Sequence, residues 1–298
     1  MSPASATLST SCPVSSRQVN KAVASGRLPK YAKMLAAYHQ AFAPELRKIL
    51  ADAWPAGARQ ILDLACGDGS YSAWLAELGG SNATVWAVDV SADWLAVARH
   101  SVARAEASAE VAALAGDALR LPFDDDAFDF IWCAQSLYSL PNTAAVLSEM
   151  WRVLRWGGTL AVLEDDTLHQ VLLPWSAALE LRLRGAELAA HRAAAGASER
   201  YYIGRQLNRL LAEAGFCSCS KRTYATNRAG PFSGDERTFL ELYLGALHDD
   251  VEPYLDGPDR EELTRFITPG QPECVLDDTR ACLTFLDHVV CGTKQGRV

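Results

Sequence analysis

Apolar and polar positions alternate along this chain with two different periods. Short apolar runs, such as the one that begins at Ile61 and the one over Phe128–Cys133, are typical of strands buried on both faces. Longer segments carry apolar residues at helical spacing, and the first extends from Tyr31 to about Ala53, where Pro44 is expected to kink or divide it. Up to Asp166 the pattern predicts alternating strands and helices, as in a parallel sheet covered by helices on both faces.

The pattern changes after Leu172. Residues from Pro174 to Arg200 are rich in Ala, Leu, Glu and Arg, which predicts a helix that breaks or bends near Gly185 or Gly196. A further helix is predicted over Arg205–Ala214.

Two later segments predict the final strands. The sixth strand is FCSCSKRTYATN, and the last strand begins at Cys282. Between them, residues from about Pro231 to Arg280 are too long for a hairpin loop and contain two helical stretches. We expect this insertion to form a lid that determines substrate specificity, with Pro174–Arg200 as its partner.

The chain has 298 residues, of which 49% are hydrophobic, and this is enough to bury the core of one large domain. We expect that domain over residues 31–298, after a flexible tail over residues 1–30 that is rich in Ser, Thr, Ala and Pro. The tail lacks the basic start and the apolar run of a signal peptide, so a cytoplasmic location is expected.

The formal net charge of −8 disfavours a nucleic-acid partner, which usually needs a basic face. No apolar stretch approaches the roughly 20 residues of a membrane span, so no membrane partner is expected. The eight cysteines are expected to be reduced thiols. Because they show none of the paired spacings of zinc sites, no metal is predicted.

The turn LACGDGS after the first strand indicates a bound ligand. Small residues at every second position let its backbone approach such a ligand closely. A dinucleotide fingerprint would place its third small residue at Ser70, where a helix N-terminus receives a pyrophosphate. Here it is Gly69, and two acids, Asp63 and Asp68, accompany the turn. Carboxylates repel a phosphate and suit a cation, so the turn favours S-adenosylmethionine over NAD.

This turn resembles motif I of the class I S-adenosylmethionine-dependent methyltransferases, in which an apolar run and an acid precede Gly-x-Gly-x-Gly. Ala65 replaces the first glycine. The resemblance continues over about Tyr31–Asp166 and ends in EMWRVLRWGGTLAVLED, which is similar to the family's helix, Gly-Gly turn and fifth strand. Within the family, the layout is most similar to methyltransferases of ubiquinone, sterol and secondary-metabolite pathways.

The resemblance implies an α/β fold with a doubly wound, mostly parallel sheet of seven strands, Rossmann-like in architecture. Its strand order would be 3-2-1-4-5-7-6, with the last strand antiparallel between the fifth and the sixth. Helical insertions would form the substrate lid.

The predicted cofactor-binding residues lie on the turn, at the ends of the next three strands and on the N-terminal helix: Asp63, Ala65, Cys66, Gly67, Gly69, Asp89, Val90, Trp94, Asp117, Ala118, Cys133, Ala134, Tyr138 and Tyr38. Asp89 ends the second strand about twenty residues beyond the glycines, where a doubly wound fold places the acid that binds both ribose hydroxyls. The alternative is that Asp89 caps the helix that starts near Ala92. Val90 and Trp94 would wall the adenine.

The other assignments follow from the resemblance. In the family, an acid at the position of Asp117 binds the adenine amino group, and the N–H of the next residue, here Ala118, reaches a ring nitrogen. Asp117 could instead only start a turn. The N-terminal helix with Tyr38 often folds over the cofactor, and Tyr138 would face the sulfonium or serve only in packing. Cys66 is most simply a small buried residue.

Methyl transfer needs a general base only if the acceptor keeps a proton at neutral pH. The candidates follow the fifth strand: Glu164, Asp165 and His169, although His169 is also consistent with a solvated loop. The turn Cys133–Ser136 lacks the Asn/Asp-Pro-Pro-aromatic motif of nucleobase amino methyltransferases, which favours a small organic acceptor methylated on oxygen, nitrogen or carbon.

S-adenosylhomocysteine would be the product of the cofactor. Three alternatives stay open at this point: an enzyme of this fold that uses S-adenosylmethionine for cyclisation or decarboxylation, a non-catalytic partner subunit and, most weakly, an oxidoreductase that uses NAD. A second copy of the chain, in a homodimer, is a further candidate partner.

Overall fold

The structure, a computed structural model, describes residues 12, 14–105, 107–165, 170–195 and 198–295. These residues contain eight strands: β1 (Gln60–Leu64), β2 (Thr84–Asp89), β3 (Glu110–Ala115), β4 (Phe128–Ala134), β5 (Leu154–Glu164), β6 (Val171–Leu172), β7 (Cys217–Ala229) and β8 (Cys282–Thr293).

The same residues form ten α-helices: α1 (Ser16–Ala24), α2 (Tyr31–Ala41), α3 (Ala43–Ala53), α4 (Ser70–Gly79), α5 (Ala92–Arg104), α6 (Thr143–Val153), α7 (Ala177–Ala195), α8 (Leu207–Glu213), α9 (Gly234–Val251) and α10 (Gly257–Ile267). Short 3₁₀ segments lie at Gly80–Asn82, Ser198–Arg205 and Glu252–Tyr254.

The strands form one sheet. Strands β1 to β5 pair in parallel in the order β3-β2-β1-β4-β5, and β8 lies antiparallel between β5 and β7. The predicted arrangement, with the last strand inserted beside the fifth, is therefore confirmed. The seven predicted strands are all present. The two-residue β6 is an additional strand that pairs with β8, at Val171–Phe285, along the same edge of β8 as β5.

Side chains of β4 alternate between two cores, one on each face of the sheet. Phe130 and Trp132 pack in the core that also contains residues of α3, α4 and α9. Ile131 and Cys133 pack in the opposite core, with residues of α6 and α8. This double burial explains why the strand is a continuous apolar run rather than an alternating one.

The N-terminal segment differs from its prediction. The flexible tail expected over residues 1–30 is wrong for residues 16–24, which form α1; residues 1–11 and 13 lie outside the described residues. Val19 and Ala22 of α1 are buried in a small core with residues of α2 and α5. This packing places α1 and α2 beside the carboxyl end of β2.

The helical predictions hold with adjusted boundaries. The segment predicted over Tyr31–Ala53 is divided into α2 and α3, and Pro44 stands in the first turn of α3, where its missing N–H costs nothing. Helix α7 passes Gly185 without a break, while Gly196 lies outside the described residues. Between β7 and β8 the insertion forms α9 and α10.

The turn between β1 and α4 packs directly against α5. A Cβ atom added at Gly69 would lie 2.6 Å from the Cα atom of Ala98, and the backbone of Gly69 has φ = +77°. Gly57 has a similar φ of +81° but no atom within 4 Å of its would-be Cβ. Gly69 is thus required because this turn packs closely against α5.

These two glycines form a matched pair for a test of this packing. We expect Gly57→Ala to lower the free energy of unfolding by about 1 kcal/mol, the cost of a left-handed alanine. Gly69→Ala should cost roughly 3 kcal/mol or more, because overpacking adds to the same backbone strain. Urea unfolding measures the free energy of unfolding of both variants. Equal losses in the two variants would show that Gly69→Ala causes no overpacking against α5.

Candidate functional site

A cleft of about 400 Å³ lies at the carboxyl ends of β1, β2 and β4, and we call it the strand-end cleft. This is the edge at which open α/β sheets bind ligands. Nine of the predicted cofactor-binding residues line it: Asp63, Ala65, Cys66, Gly67, Asp89, Val90, Trp94, Ala134 and Tyr138. The sequence pattern therefore located this cleft.

The turn at the end of β1 has a strained backbone. Ala65, which replaces the family's first glycine, has φ = +58°, a conformation that a glycine adopts without steric cost. Gly67 has φ = +51°. The N–H of Cys66 donates to the carbonyl of Val88 at 3.0 Å, so the turn is also tied to β2. Non-glycine residues in this region are typical of functional sites.

Asp89 holds the turn and borders the cleft. Its Oδ2 accepts from the N–H of Gly67 at 3.1 Å and its Oδ1 from the N–H of Ser91 at 2.8 Å. The alternative that Asp89 caps α5 is wrong, because the cap is Ser91, whose Oγ accepts from the N–H of Trp94 at 3.3 Å. Each carboxylate oxygen of Asp89 keeps acceptor capacity for a ligand.

A buried ion pair lies beneath the same turn. Nδ1 of His39, on α2, is 2.8 Å from Oδ2 of Asp68, and both side chains are buried. Burial alone would raise the pKa of Asp68, but the neighbouring His39 and the hydrogen bonds from His39 and Ser70 hold that pKa below its usual value. The ionised carboxylate accepts only, so Nδ1 of His39 donates.

Two polar atoms beside this pair have no hydrogen-bond partner among the described residues. They are Nε2 of His39 and the hydroxyl oxygen of Tyr71, and both residues line the strand-end cleft. The rings of His39 and Tyr71 contact each other edge to face, with centroids 5.3 Å apart. Buried polar groups without a partner are rare and costly, so these atoms indicate a polar ligand.

Asp63 adds a third carboxyl to this region. It is 2% exposed and accepts a 2.5 Å hydrogen bond from the hydroxyl of Ser72. Burial raises the pKa of Asp63 to about 7, against the hydrogen bond from Ser72, which lowers it. A cationic group bound nearby would favour the ionised form of Asp63.

Glu164 does not line the strand-end cleft, and the prediction that it acts as a general base is not supported by its position. It is 1% exposed, and its Oε1 accepts from the N–H groups of Ser136 at 3.1 Å and Leu137 at 2.6 Å. Burial, and then the neighbouring Asp165, raises the pKa of Glu164 to about 8. Glu164 thus fixes the loop that follows β4.

A second cavity of about 300 Å³ adjoins the first, and we call it the helical cavity. The two share four lining residues: Tyr31, Leu35, Gln135 and Tyr138. Asp165 lines the helical cavity and stays a candidate base, whereas His169 lies outside the described residues.

Three of the predicted cofactor residues are placed elsewhere. Tyr38 lines the helical cavity rather than the cleft, and its hydroxyl donates to Oδ1 of Asp287 at 2.8 Å. Cys133 is fully buried in the core, and Gly69 packs against α5. Neither of these two is among the residues that line the cleft.

Asp117 and Ala118 are also outside the lining of the cleft. Asp117 is exposed, and its Oδ1 accepts from the N–H of Leu119 at 2.9 Å, so it does start a turn, as one alternative held. Ala118 is buried in the core beneath the sheet. Their contact with an adenine stays a prediction.

Sequence reasoning missed His39 and Tyr71. The signal available for His39 was its position on α2, four residues after Leu35 and eight after Tyr31, which places all three on one helical face. Tyr71 follows the glycine turn directly. Both looked like ordinary members of apolar helix faces.

Two kinds of feature, a membrane-spanning helix and a group of metal-ligating side chains, are absent from the described residues. Their helices include none with the length and apolar character of a membrane span. Their His, Cys, Asp and Glu side chains form no group of three or more suited to a metal ion.

The strands and the strand-end cleft define a Rossmann-like α/β fold, and its sheet has the strand order of the class I methyltransferases. Residues 62–162 match the family model described as a methyltransferase domain. The methyltransferase GfsG of Streptomyces halstedii is 43% identical over 103 residues, which are 35% of this chain and 36% of that protein. Over these residues the chain is therefore similar to methyltransferase domains.

Two further comparisons agree. The demethylmenaquinone methyltransferase of Shouchella clausii is 37% identical over 105 residues, 35% of this chain and 44% of that protein. The chain thus spans less than half the length of these curated relatives. A Bacillus halodurans structure, described as a candidate methyltransferase, has the same fold, with a TM-score of 0.54, 21% identity and coverage of 85% of this chain and 100% of that one.

The position of Glu164 predicts a specific pH dependence. The pKa of Glu164 is raised on folding, so the unfolded chain loses this proton first and stability falls as the pH rises from about 4.5 towards 8. Glu164→Gln keeps an acceptor for the loop and removes this titration. The variant should therefore gain stability relative to the wild type as the pH rises from 5 to about 8.

Urea unfolding of both proteins at several pH values measures this difference. A difference between them that does not change with pH would show that Glu164 is not protonated in the folded protein.

Proposed function

We propose that the protein is an S-adenosylmethionine-dependent methyltransferase that acts on a small organic molecule. The observation that carries this proposal is the pair of buried, unpartnered polar atoms at His39 and Tyr71, among the described residues, in a cleft that opens into a second cavity. A zwitterionic amino-acid group in the cleft would satisfy both atoms, and an acceptor in the helical cavity would face it.

The residues of the cleft fit the methionyl end of S-adenosylmethionine. As an imidazolium, His39 would donate from Nε2 to the carboxylate; as a neutral ring, it would accept from the ammonium group. The hydroxyl of Tyr71 can do either. Asp63 lies in the same lining and supplies negative charge for the cationic groups. A pyrophosphate would meet Asp63 and the carboxylate of Asp89 instead, which supports the choice against NAD.

The other end of the cleft fits a nucleoside. Asp89 would accept from the ribose hydroxyls. The rings of Tyr31 and Trp94, with centroids 6.2 Å apart, and the exposed side chain of Val90 provide apolar surface for an adenine. Tyr138 lies where the cleft and the helical cavity meet, and an aromatic face there would attract the sulfonium.

When bound, S-adenosylmethionine supplies a methyl group on a sulfonium that transfers by in-line displacement. This chain's own contribution would be positioning, since holding the acceptor in line accounts for much of such a rate. Helices α2, α7 and α9 contribute Tyr38, His191 and Phe239 to the helical cavity and would shield it from water. Asp165 is the described candidate for a base. The segments 174–200 and 231–280 would thus act as the proposed lid.

The ribose assignment predicts a loss of affinity in Asp89→Ala. Removing hydrogen bonds to a buried acceptor should weaken binding of S-adenosylhomocysteine by roughly 1–3 kcal/mol. Calorimetric titration measures this loss, with the exposed Asp124→Ala as the control of equal charge change. Unchanged affinity in Asp89→Ala would refute the assignment.

The methionyl assignment predicts a loss in His39→Leu. Because a charge-assisted hydrogen bond in a buried site disappears, affinity for S-adenosylhomocysteine should fall about tenfold or more. His100→Leu, on the exposed face of α5, should bind as the wild type does. Unchanged affinity in His39→Leu would refute the methionyl assignment.

Methyl transfer itself is tested by incubation with methyl-labelled S-adenosylmethionine and a panel of small amines, phenols and carboxylic acids. We expect S-adenosylhomocysteine and a labelled acceptor to form in equal amounts. Tight cofactor binding without product from any member of a broad panel would count against a methyltransferase.

A further inference from the structure

The helical cavity is walled mainly by aromatic rings. They come from α2, the loop after β4, the segment Ser198–Arg205 and α9: Tyr31, Tyr38, Tyr138, Tyr201, Phe239 and Tyr243. Aromatic faces carry negative partial charge and attract cations. Rings from several directions around one cavity resemble the arrangement that binds substituted ammonium groups in proteins.

The charged residues of the same cavity carry one sign. The described lining includes three carboxyl groups, Asp165, Glu187 and Asp250, but no Lys or Arg. Arg184 stands behind Glu187, with Nη1 at 2.6 Å from Oε2, and it also contacts Glu180 at 2.9 Å. One guanidinium therefore serves two carboxylates, and the acidic side chains among the described lining residues outnumber the Lys and Arg side chains.

This charge distribution discriminates among acceptor classes. An anionic acceptor, such as a carboxylate or a phosphate, would be repelled by three carboxyl groups. A phenol would be hard to ionise there, since burial, then Asp165 and Glu164, raises the pKa of the Tyr138 phenol that lines the cavity. A cation is attracted both by the carboxylates and by the rings.

Gln135 adds an acceptor at the junction with the strand-end cleft. Its Oε1 is buried and makes no hydrogen bond within the described part of the chain. Its backbone has φ = +50°, so the loop holds this residue in a strained conformation. A carbonyl oxygen at this place suits an N–H donor of the acceptor molecule.

We propose that the helical cavity binds a small amine as an ammonium ion, and that the amine nitrogen accepts the methyl group. This inference rests on the proposed function and narrows it from oxygen, nitrogen or carbon acceptors to nitrogen.

The proton of the ammonium has a defined acceptor. His191 lines the cavity, its ring stacks on Tyr201 with centroids 3.9 Å apart, and its Nδ1 is buried without a hydrogen-bond partner among the described residues. Burial lowers the pKa of His191, so a neutral ring is available at neutral pH. The ammonium passes one proton to this imidazole and becomes a nucleophile.

The transfer step is then balanced. A carbon–nitrogen bond forms as the carbon–sulfur bond breaks, and the electron pair of that bond stays on sulfur in S-adenosylhomocysteine. The positive charge of the sulfonium appears on the methylated ammonium. The proton on His191 leaves to solvent.

Binding of two probes of equal shape tests the charge preference without turnover. The probes are phenyltrimethylammonium and its neutral isostere tert-butylbenzene, each titrated into protein saturated with S-adenosylhomocysteine. We expect the cation to bind at least about tenfold more tightly. Asp250→Asn should reduce this ratio about fivefold, whereas Asp249→Asn, a neighbour with an 86% exposed side chain, should leave it unchanged.

Equal or weaker binding of the cation, with normal binding of S-adenosylhomocysteine, would overturn the amine assignment and leave the proposed function standing. Failure of the protein to bind S-adenosylhomocysteine at all would instead refute the proposed function and this inference with it. These titrations therefore distinguish failure of the amine assignment from failure of the proposed function.

Discussion

Burial of charge beneath the turn after β1 is the constraint on which the rest of the site depends. Carboxylates and an imidazole can be buried only if they are paired or hydrogen-bonded. Asp68 meets this requirement through His39, and because His39 is on α2 this pair holds α2 across the carboxyl ends of the strands. Asp63 meets it through Ser72 of α4. Nε2 of His39 is then left for a ligand. Helix α2 consequently lines both cavities, with Tyr31 and Leu35 common to them.

The sheet order could be predicted from the resemblance to the class I methyltransferases, and most of the cleft from local sequence patterns. Double burial makes β4 a continuous apolar run, and the turn at Ala65 and the acid at Asp89 have fixed spacing. The roles of His39 and Glu164 could not be predicted in this way. Both roles depend on the partner that the residue contacts in the folded chain. Helical or strand periodicity indicates only that a residue is buried.

The helical cavity was the least predictable part, because it too depends on contacts between residues far apart in sequence. It is built from α7 and α9, two segments far apart in sequence that meet the loop after β4 only through long-range packing. Their composition indicated helices, but not that Asp250 and His191 would face one cavity with Tyr201. The candidate site therefore combines a cleft defined by local motifs with a cavity defined by tertiary contacts, and Tyr138 and Gln135 lie at their junction.

We propose that the strand-end cleft binds a sulfonium cofactor and not a dinucleotide. Parallel calorimetric titrations of the wild-type protein with S-adenosylmethionine, S-adenosylhomocysteine and NAD test it most directly. We expect one binding site per chain for S-adenosylmethionine and for S-adenosylhomocysteine, and no detectable binding of NAD. Binding of NAD with no binding of either sulfur ligand would contradict it.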